Sequence, residues 1–146
     1  MSGNYFYSAV TFKSPSQVNS LKEKIPVSES VFFTPGNSLH LQYTNGAGGK
    51  WMAAIYHHGV RGQDHIKKAR ALRFNFFTKS AASHLPAVQI GFGDSLFTEV
   101  IKLADYIHPI KNHTWQQAFI PLSVFRKLAG KPQELIRSVH FIQNSS

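Results

Sequence analysis

The sequence predicts an all-β domain of two packed antiparallel sheets, and three observations predict it. Aromatic content is high, with 12 Phe, 5 Tyr and 2 Trp in 146 residues, and flat rings suit a pleated surface better than a helix. Apolar and polar residues alternate with a period of two in several separate stretches. Turn residues interrupt those stretches at short intervals, and a 3.6-residue period is never sustained beyond about two turns.

The elements follow in order. Tyr5 to Phe12 reads as a first strand, ended by Ser14-Pro15-Ser16. Val18 to Lys24 reads as a short helical turn closed by Pro26. Val31 to Phe33 is a short strand before the Pro35-Gly36-Asn37 turn. Leu39, Leu41 and Tyr43 then alternate with Ser38, His40 and Gln42. The glycines of Asn45-Gly46-Ala47-Gly48-Gly49 suit positive φ or close backbone approach. Trp51, Ala53 and Ile55 alternate with Met52, Ala54 and Tyr56, which places Trp51 in the core. A loop from Gly59 to Lys68 carries Arg61-Gly62-Gln63-Asp64.

Beyond that loop, Leu72, Phe74 and Phe76 alternate with Arg73, Asn75 and Phe77, and Val88 and Ile90 flank Gln89. Phe97, Glu99 and Ile101 read as one strand reaching Leu103. Trp115 to Leu122 is strand-like, with Pro121 marking an edge or an end. One helical turn is expected around Ser123 to Lys127, and Arg137 to Ile142 is the last strand. The total is about eight or nine short strands, without the βαβ alternation of a parallel sheet. The expected organisation is one β-sandwich domain over residues 1–146, with no internal repeat.

Composition narrows the function classes. With no cysteine, disulfides, thiolate catalysis and cysteine zinc sites are excluded. No apolar run approaches the roughly 20 residues of a membrane helix, so no membrane partner is expected. Met1-Ser2-Gly3-Asn4 is no signal peptide. Lys and Arg total 16 against 7 acids, a net charge of +9, which attracts polyanions. The basic residues are nonetheless spread out, and their densest group is Lys67, Lys68, Arg70 and Arg73. The aromatics and charge suit nucleic acid, but no motif sets aromatics beside Lys or Arg on central strands in the RNA-binding manner. Enzyme chemistry finds no support either. Asp64 and Glu99 form no motif of paired carboxylates, and there is no Gly-x-Ser-x-Gly elbow. His57 and His58 are adjacent and point to opposite faces of a strand, which prevents joint metal ligation. His65, His84, His108 and His113 fall in loops.

Three blocks carry a resemblance. They are Ser38-Leu39-His40-Leu41-Gln42-Tyr43 with Gly48-Gly49-Lys50-Trp51, then Ala71-Leu72-Arg73-Phe74-Asn75-Phe76, then Trp115-Gln116-Gln117-Ala118-Phe119-Ile120-Pro121-Leu122-Ser123-Val124-Phe125. Their order and spacing resemble non-catalytic carbohydrate-binding modules of the jelly-roll or galactose-binding-like type. Such modules sit beside catalytic domains in secreted bacterial glycoside hydrolases and polysaccharide lyases. The resemblance covers about residues 31 to 142, and its last block is the most specific. It implies an accessory role, an attached catalytic domain and a secreted or periplasmic location. Two departures stand out. Modules of this kind end in a strand bearing adjacent aspartates, whereas this chain ends Ile142-Gln143-Asn144-Ser145-Ser146. Either the family differs here or the final strand is cut short, and a cut sheet would leave an unpaired edge inviting weak self-association. The structural calcium of such modules needs about six to eight oxygen ligands. No acid precedes Glu23, so no cofactor and no calcium ligands are assigned.

The outward phase of the strands supplies the candidate site: Gln42, Tyr56, His58, Arg73, Asn75, Gln89, Trp115 and Gln117, with His40 and Phe119 beside them. On one sheet they would make a polar strip. Arg, Asn and Gln pair with sugar hydroxyls, and a ring lies against the C–H face of a pyranose. Arg73 on a strongly aromatic strand would suit an acidic polysaccharide. The expected ligand is therefore a poly- or oligosaccharide. The alternative is a structural or protein-interaction β-sandwich within a larger secreted enzyme.

Overall fold

The computed structural model describes residues 3–57, 68–79, 84–107 and 109–144. His58, Asp64, His65 and His108 lie outside the described residues. All regular structure among the described residues is β-strand or short 3-10 turn, and no helix among them is long and apolar enough to cross a membrane. The chain divides into two compact units, Met1–Tyr56 with His140–Ser146, and His57–Val139.

In the first unit, β1 (Ser8–Lys13) runs antiparallel to β6 (Lys50–Tyr56), from Ser8 opposite Ile55 to Lys13 opposite Lys50. The end of β12 (Ile136–Asn144) lies along the other edge of β6. Two ribbons complete the unit. One joins β2 (Gln17–Val18) to β5 (Tyr43–Thr44), and the other joins β3 (Val27–Ser28) to β4 (Ser38–Leu39). Val10, Val18, Ile25, Trp51 and Ala53 are buried together, with Leu41, Tyr43, Ile55 and Phe141 packed against them. Trp51, Ala53 and Ile55 share one side of β6, as their alternation requires. A Cβ on Gly49 would collide with the backbone nitrogen of Ser16, so close approach, rather than turn geometry, demands glycine there. Gly48, at φ +80°, has the open space around it of a turn residue.

Three expectations fail in this unit. Val18 to Lys24 holds no helical turn. Val18 is buried in the Trp51 core and paired in β2. Lys22 and Glu23 both take positive φ, and Leu21 and Lys24 exchange two 3.0 Å backbone bonds across them. That is a two-residue hairpin turn. Val31 to Phe33 is not a strand, because hydroxyls take over the backbone bonding. The Val31 amide donates to Ser28 Oγ, and Ser38 Oγ donates to the Val31 carbonyl. The Leu39–Tyr43 alternation is not one strand either. His40 N donates to the Pro26 carbonyl, whereas the Gln42 carbonyl accepts from Asn19 N, so the two ends serve different ribbons.

In the second unit, β7 (Ala71–Phe77) and β11 (Trp115–Pro121) pair along their whole length as a two-stranded sheet. The unit also holds a second sheet, in which β8 (Ala87–Phe92) pairs with β9 (Leu96–Phe97), β10 (Ile101–Lys102) and the start of β12. Val88, Ile90, Phe92, Leu103, Ile107, Ala118, Ile120 and Phe125 are buried. The expected strand from Phe97 to Leu103 is broken at Thr98. Its hydroxyl accepts the Ile90 amide while its own amide donates to the Ile90 carbonyl, and Leu103 opens a 3-10 turn ending at Tyr106. The helical turn expected near Ser123–Lys127 is present as two 3-10 turns, Leu122–Val124 and Arg126–Leu128.

Candidate functional site

The β7–β11 pair sorts its side chains cleanly. Leu72, Phe74 and Phe76 alternate with Arg73 and Asn75, and only the latter two are exposed. On β11, Ala118 and Ile120 are fully buried while Gln117 and Phe119 are exposed. Directly opposite residues of an antiparallel pair share a face, with Cβ atoms about 4.5–5.5 Å apart. The register sets Phe119 against Arg73, Gln117 against Asn75 and Trp115 against Phe77. Three cross-strand pairs therefore make one strip, with a ring at each end and amides in the middle. At a rise of about 3.4 Å per residue, Trp115 and Phe119 stand about 14 Å apart along the strand.

The two ends differ. Phe119 is 55% exposed and lies beside the exposed Arg73. Trp115 is half-buried, its ring 5.7 Å from that of Phe77 and tilted by 53°. His113 adds an edge contact to Phe77 at 6.0 Å. Gln116, on the inner phase, fixes the approach to this end. Its amide donates to the Pro109 carbonyl at 3.0 Å and accepts from Lys111 N at 2.9 Å. The strip thus offers one exposed ring and one half-buried ring, with Asn75 and Gln117 between them and Arg73 beside the first.

Arg73, Asn75, Trp115 and Gln117 of the expected residues come together here, and Phe119 joins them as expected. The remaining candidates do not. Gln89 lies on β8 in the other sheet of this unit, its amide donating to the Thr98 carbonyl at 3.0 Å. Gln42 is exposed in the first unit between β4 and β5. Tyr56 ends β6 in the same unit, 42% exposed and edge-on to His140 at 6.4 Å. His58 lies outside the described residues. Phe77 was not among the candidates, although its phase with Arg73 and Asn75 is visible in the sequence. Trp51 is 1% exposed, stacked on Tyr43 at 4.4 Å, and its Nε1 donates to Asn45 Oδ1; it is a core residue.

The perturbed titrations belong to the first unit. Burial pushes the Tyr43 hydroxyl up to about 12 and lowers the pKa of His140. Both describe packing rather than acid–base chemistry. Among the described residues no three His, Asp or Glu side chains gather where they could hold a metal ion.

No protein-family profile matches the chain. It is 35% identical over 127 residues to an exo β-1,2-glucooligosaccharide sophorohydrolase (non-reducing end) of Parabacteroides distasonis, a match covering 86% of this chain and 18% of that protein. The crystal structure of a β-1,2-glucanase from Parabacteroides distasonis superposes with a TM-score of 0.89 at 31% identity, over 99% of this chain and 21% of that one. A family 30 carbohydrate-binding module from a cellulosomal cellulase of Clostridium thermocellum superposes at 0.74 with 13% identity, covering 95% of this chain and 83% of that one. A family 11 module from another cellulosomal cellulase of Clostridium thermocellum gives 0.62 with 14% identity, covering 97% and 80%. The chain therefore has the jelly-roll β-sandwich fold of carbohydrate-binding modules, and it spans about a fifth of the length of the β-1,2-glucan-degrading proteins it is similar to.

Proposed function

We propose that this chain is a non-catalytic module that binds a polysaccharide along the β7–β11 face and serves an attached catalytic domain. The observation that carries this reading is the register of β7 and β11, which sets exposed Phe119 beside Arg73 and exposed Gln117 beside Asn75. A pyranose presents C–H bonds on its faces and hydroxyls at its rim. The first suit the Phe119 ring, and the second suit the amides and guanidinium. A shallow strip buries little of a ligand and leaves water free to compete, so affinity is modest. The relatives' action on β-1,2-linked glucose chains makes β-1,2-glucan the first polymer to test. The reading as an accessory module carries with it a secreted or periplasmic site of action.

The net charge of +9 and the exposed Arg73 favour a finer version, in which acidic chains bind better than neutral ones. Titration with β-1,2-glucan and with a uronic-acid polymer, each at low and high salt, tests both. Phe119→Ala should weaken binding of either polymer roughly tenfold, about 1.4 kcal/mol. Arg73→Ala should weaken the acidic polymer more and reduce its salt dependence. Equal binding by wild type, Phe119→Ala, Asn75→Ala and Gln117→Ala would remove this face as the site. A folded sample that binds no glycan would shift the reading to a structural or protein-interaction domain.

A further inference from the structure

The loop that leads into β11 is tied down more firmly than its exposure would suggest. Lys111, Asn112, His113 and Thr114 are all exposed and take no regular structure, and such segments are ordinarily mobile. Here both ends of the Gln116 amide hold the loop, donating to the Pro109 carbonyl at 3.0 Å and accepting from the Lys111 amide at 2.9 Å. The His113 amide donates to the Thr78 carbonyl at 2.9 Å, just past the end of β7. His113 also takes a φ of 55°, a left-handed conformation that most side chains disfavour. What this fixing places is a ring. His113 stands edge-on to Phe77, 6.0 Å away with the planes at 79°.

The strand register carries that contact one residue further. The Leu122 amide donates to the Arg70 carbonyl, one step beyond the Ala71–Pro121 pair, so Arg70 and Leu122 are a hydrogen-bonded pair. Hydrogen-bonded and non-hydrogen-bonded pairs alternate along an antiparallel ladder. Arg73–Phe119, Asn75–Gln117 and Phe77–Trp115 are therefore all non-hydrogen-bonded pairs, whose side chains stand closest, with Cα atoms about 4.5 Å apart. Phe77 thus touches two rings, His113 at 6.0 Å and Trp115 at 5.7 Å. Both separations fall in the range of about 4.5–7 Å that aromatic pairs favour. A ring that is ordered only when a ligand arrives loses its rotamer freedom at that moment, and this weakens binding. A ring already held avoids that loss.

We propose that Phe77 and His113 are positioning residues that hold the Trp115 ring ready as a second stacking contact, so that the strip selects sugar chains long enough to lie on Phe119 and Trp115 together. The two rings stand about 14 Å apart along β11, farther than one pyranose reaches. A short fragment meets one of them, and a longer chain meets both. The inference rests on the reading of the β7–β11 face as the polysaccharide site.

The test uses the 146-residue protein and two probes, the β-1,2-linked disaccharide and hexasaccharide of glucose. Calorimetry measures affinity while magnetic resonance follows the Trp115 indole N–H. The wild type should bind the hexasaccharide roughly tenfold more tightly than the disaccharide. His113→Asn removes one ring but keeps a residue that tolerates positive φ, and Phe77→Ala removes the middle ring. Each should cut that preference to about threefold or less, and should shift and broaden the Trp115 indole signal before any sugar is added. Phe77→Tyr keeps a ring and should keep the preference. In a Trp115→Ala background neither change should alter it further, because both act through that ring. His113 is exposed, so its replacement keeps the fold even if Phe77→Ala does not. A preference that survives either change in a folded sample, or that falls as far in Phe77→Tyr as in Phe77→Ala, overturns the inference, since the rings then serve packing alone. So does a wild type that binds both sugars equally; if Phe119→Ala weakens both, the strip stands without its second contact. If the wild type binds neither sugar, or if Phe119→Ala and Trp115→Ala leave both affinities unchanged, the β7–β11 reading itself falls and this inference with it.

Discussion

The two tryptophans show how one residue type serves opposite ends in the two units. Each sits in an antiparallel strand with a Phe directly across, Phe12 for Trp51 and Phe77 for Trp115. Trp51 is sealed. Tyr43 from the β2–β5 ribbon stacks on it at 4.4 Å, and its Nε1 is met by Asn45. Trp115 has Phe77 tilted against it and remains half-open, in line with Gln117 and Phe119. Alternation along the strand is equally good in both. What differs is whether another layer covers that side of the sheet. In the first unit a two-residue ribbon suffices to turn an aromatic strand into core. On β7–β11 the 55% exposure of Phe119 leaves the face available to a ligand.

Paired substitutions sharpen this contrast. Trp51→Ala should cost about 3–5 kcal/mol of stability, read by chemical denaturation. Trp115→Ala should cost less than half of that and weaken polysaccharide binding roughly tenfold, about 1.4 kcal/mol. Equal stability losses from the two would break the comparison. Asn45→Ala should leave the buried Trp51 N–H without an acceptor, at about 1–3 kcal/mol, with no effect on glycan affinity.

Smaller effects probe the same division. Lys22 and Glu23 carry side chains at φ values of 53° and 61°, a region that disfavours most residues. Replacing them by Asn and Gly, the favoured residues of a two-residue turn, should stabilise the first unit by about 1 kcal/mol and leave binding on β7–β11 unchanged. A loss of stability would show that the turn side chains contribute more than their backbone strain. The smallest effect expected is a pH dependence. Burial lowers the pKa of His140 below its ordinary value near 6.5, so the unfolded chain binds its proton more readily than the folded one. The contribution is intact above pH 6.5 and is lost as the pH falls through that value toward the folded pKa. Melting temperature should therefore drop between about pH 7 and pH 5 more steeply in the wild type than in His140→Gln. Parallel slopes would mean that His140 is not the group responsible.

Much of the candidate strip is legible in the alternation of its two strands. Arg73 and Asn75 are outward by phase, Gln117 and Phe119 likewise, because a strand that buries one side must present the other. Phe77 shares that phase and belongs with them on the same ground. Gln42, Tyr56 and Gln89 are equally outward by phase, yet phase says nothing about which strands become neighbours. Gln89 lies on a strand paired with β9 and β10, and Gln42 lies in a link between two ribbons.

The all-β class, the core position of Trp51, the span of β7, the start of β11 and the turn after it were determined by the sequence, because alternation and turn chemistry are local properties of a chain. The Leu21–Lys24 hairpin turn, the breaks at Thr98 and between Leu39 and Tyr43 and the pairing of Phe119 with Arg73 were decided only by the tertiary structure. Each depends on which distant backbone meets a given amide, or on which side chain fills a given gap. No periodicity within a segment encodes those partners.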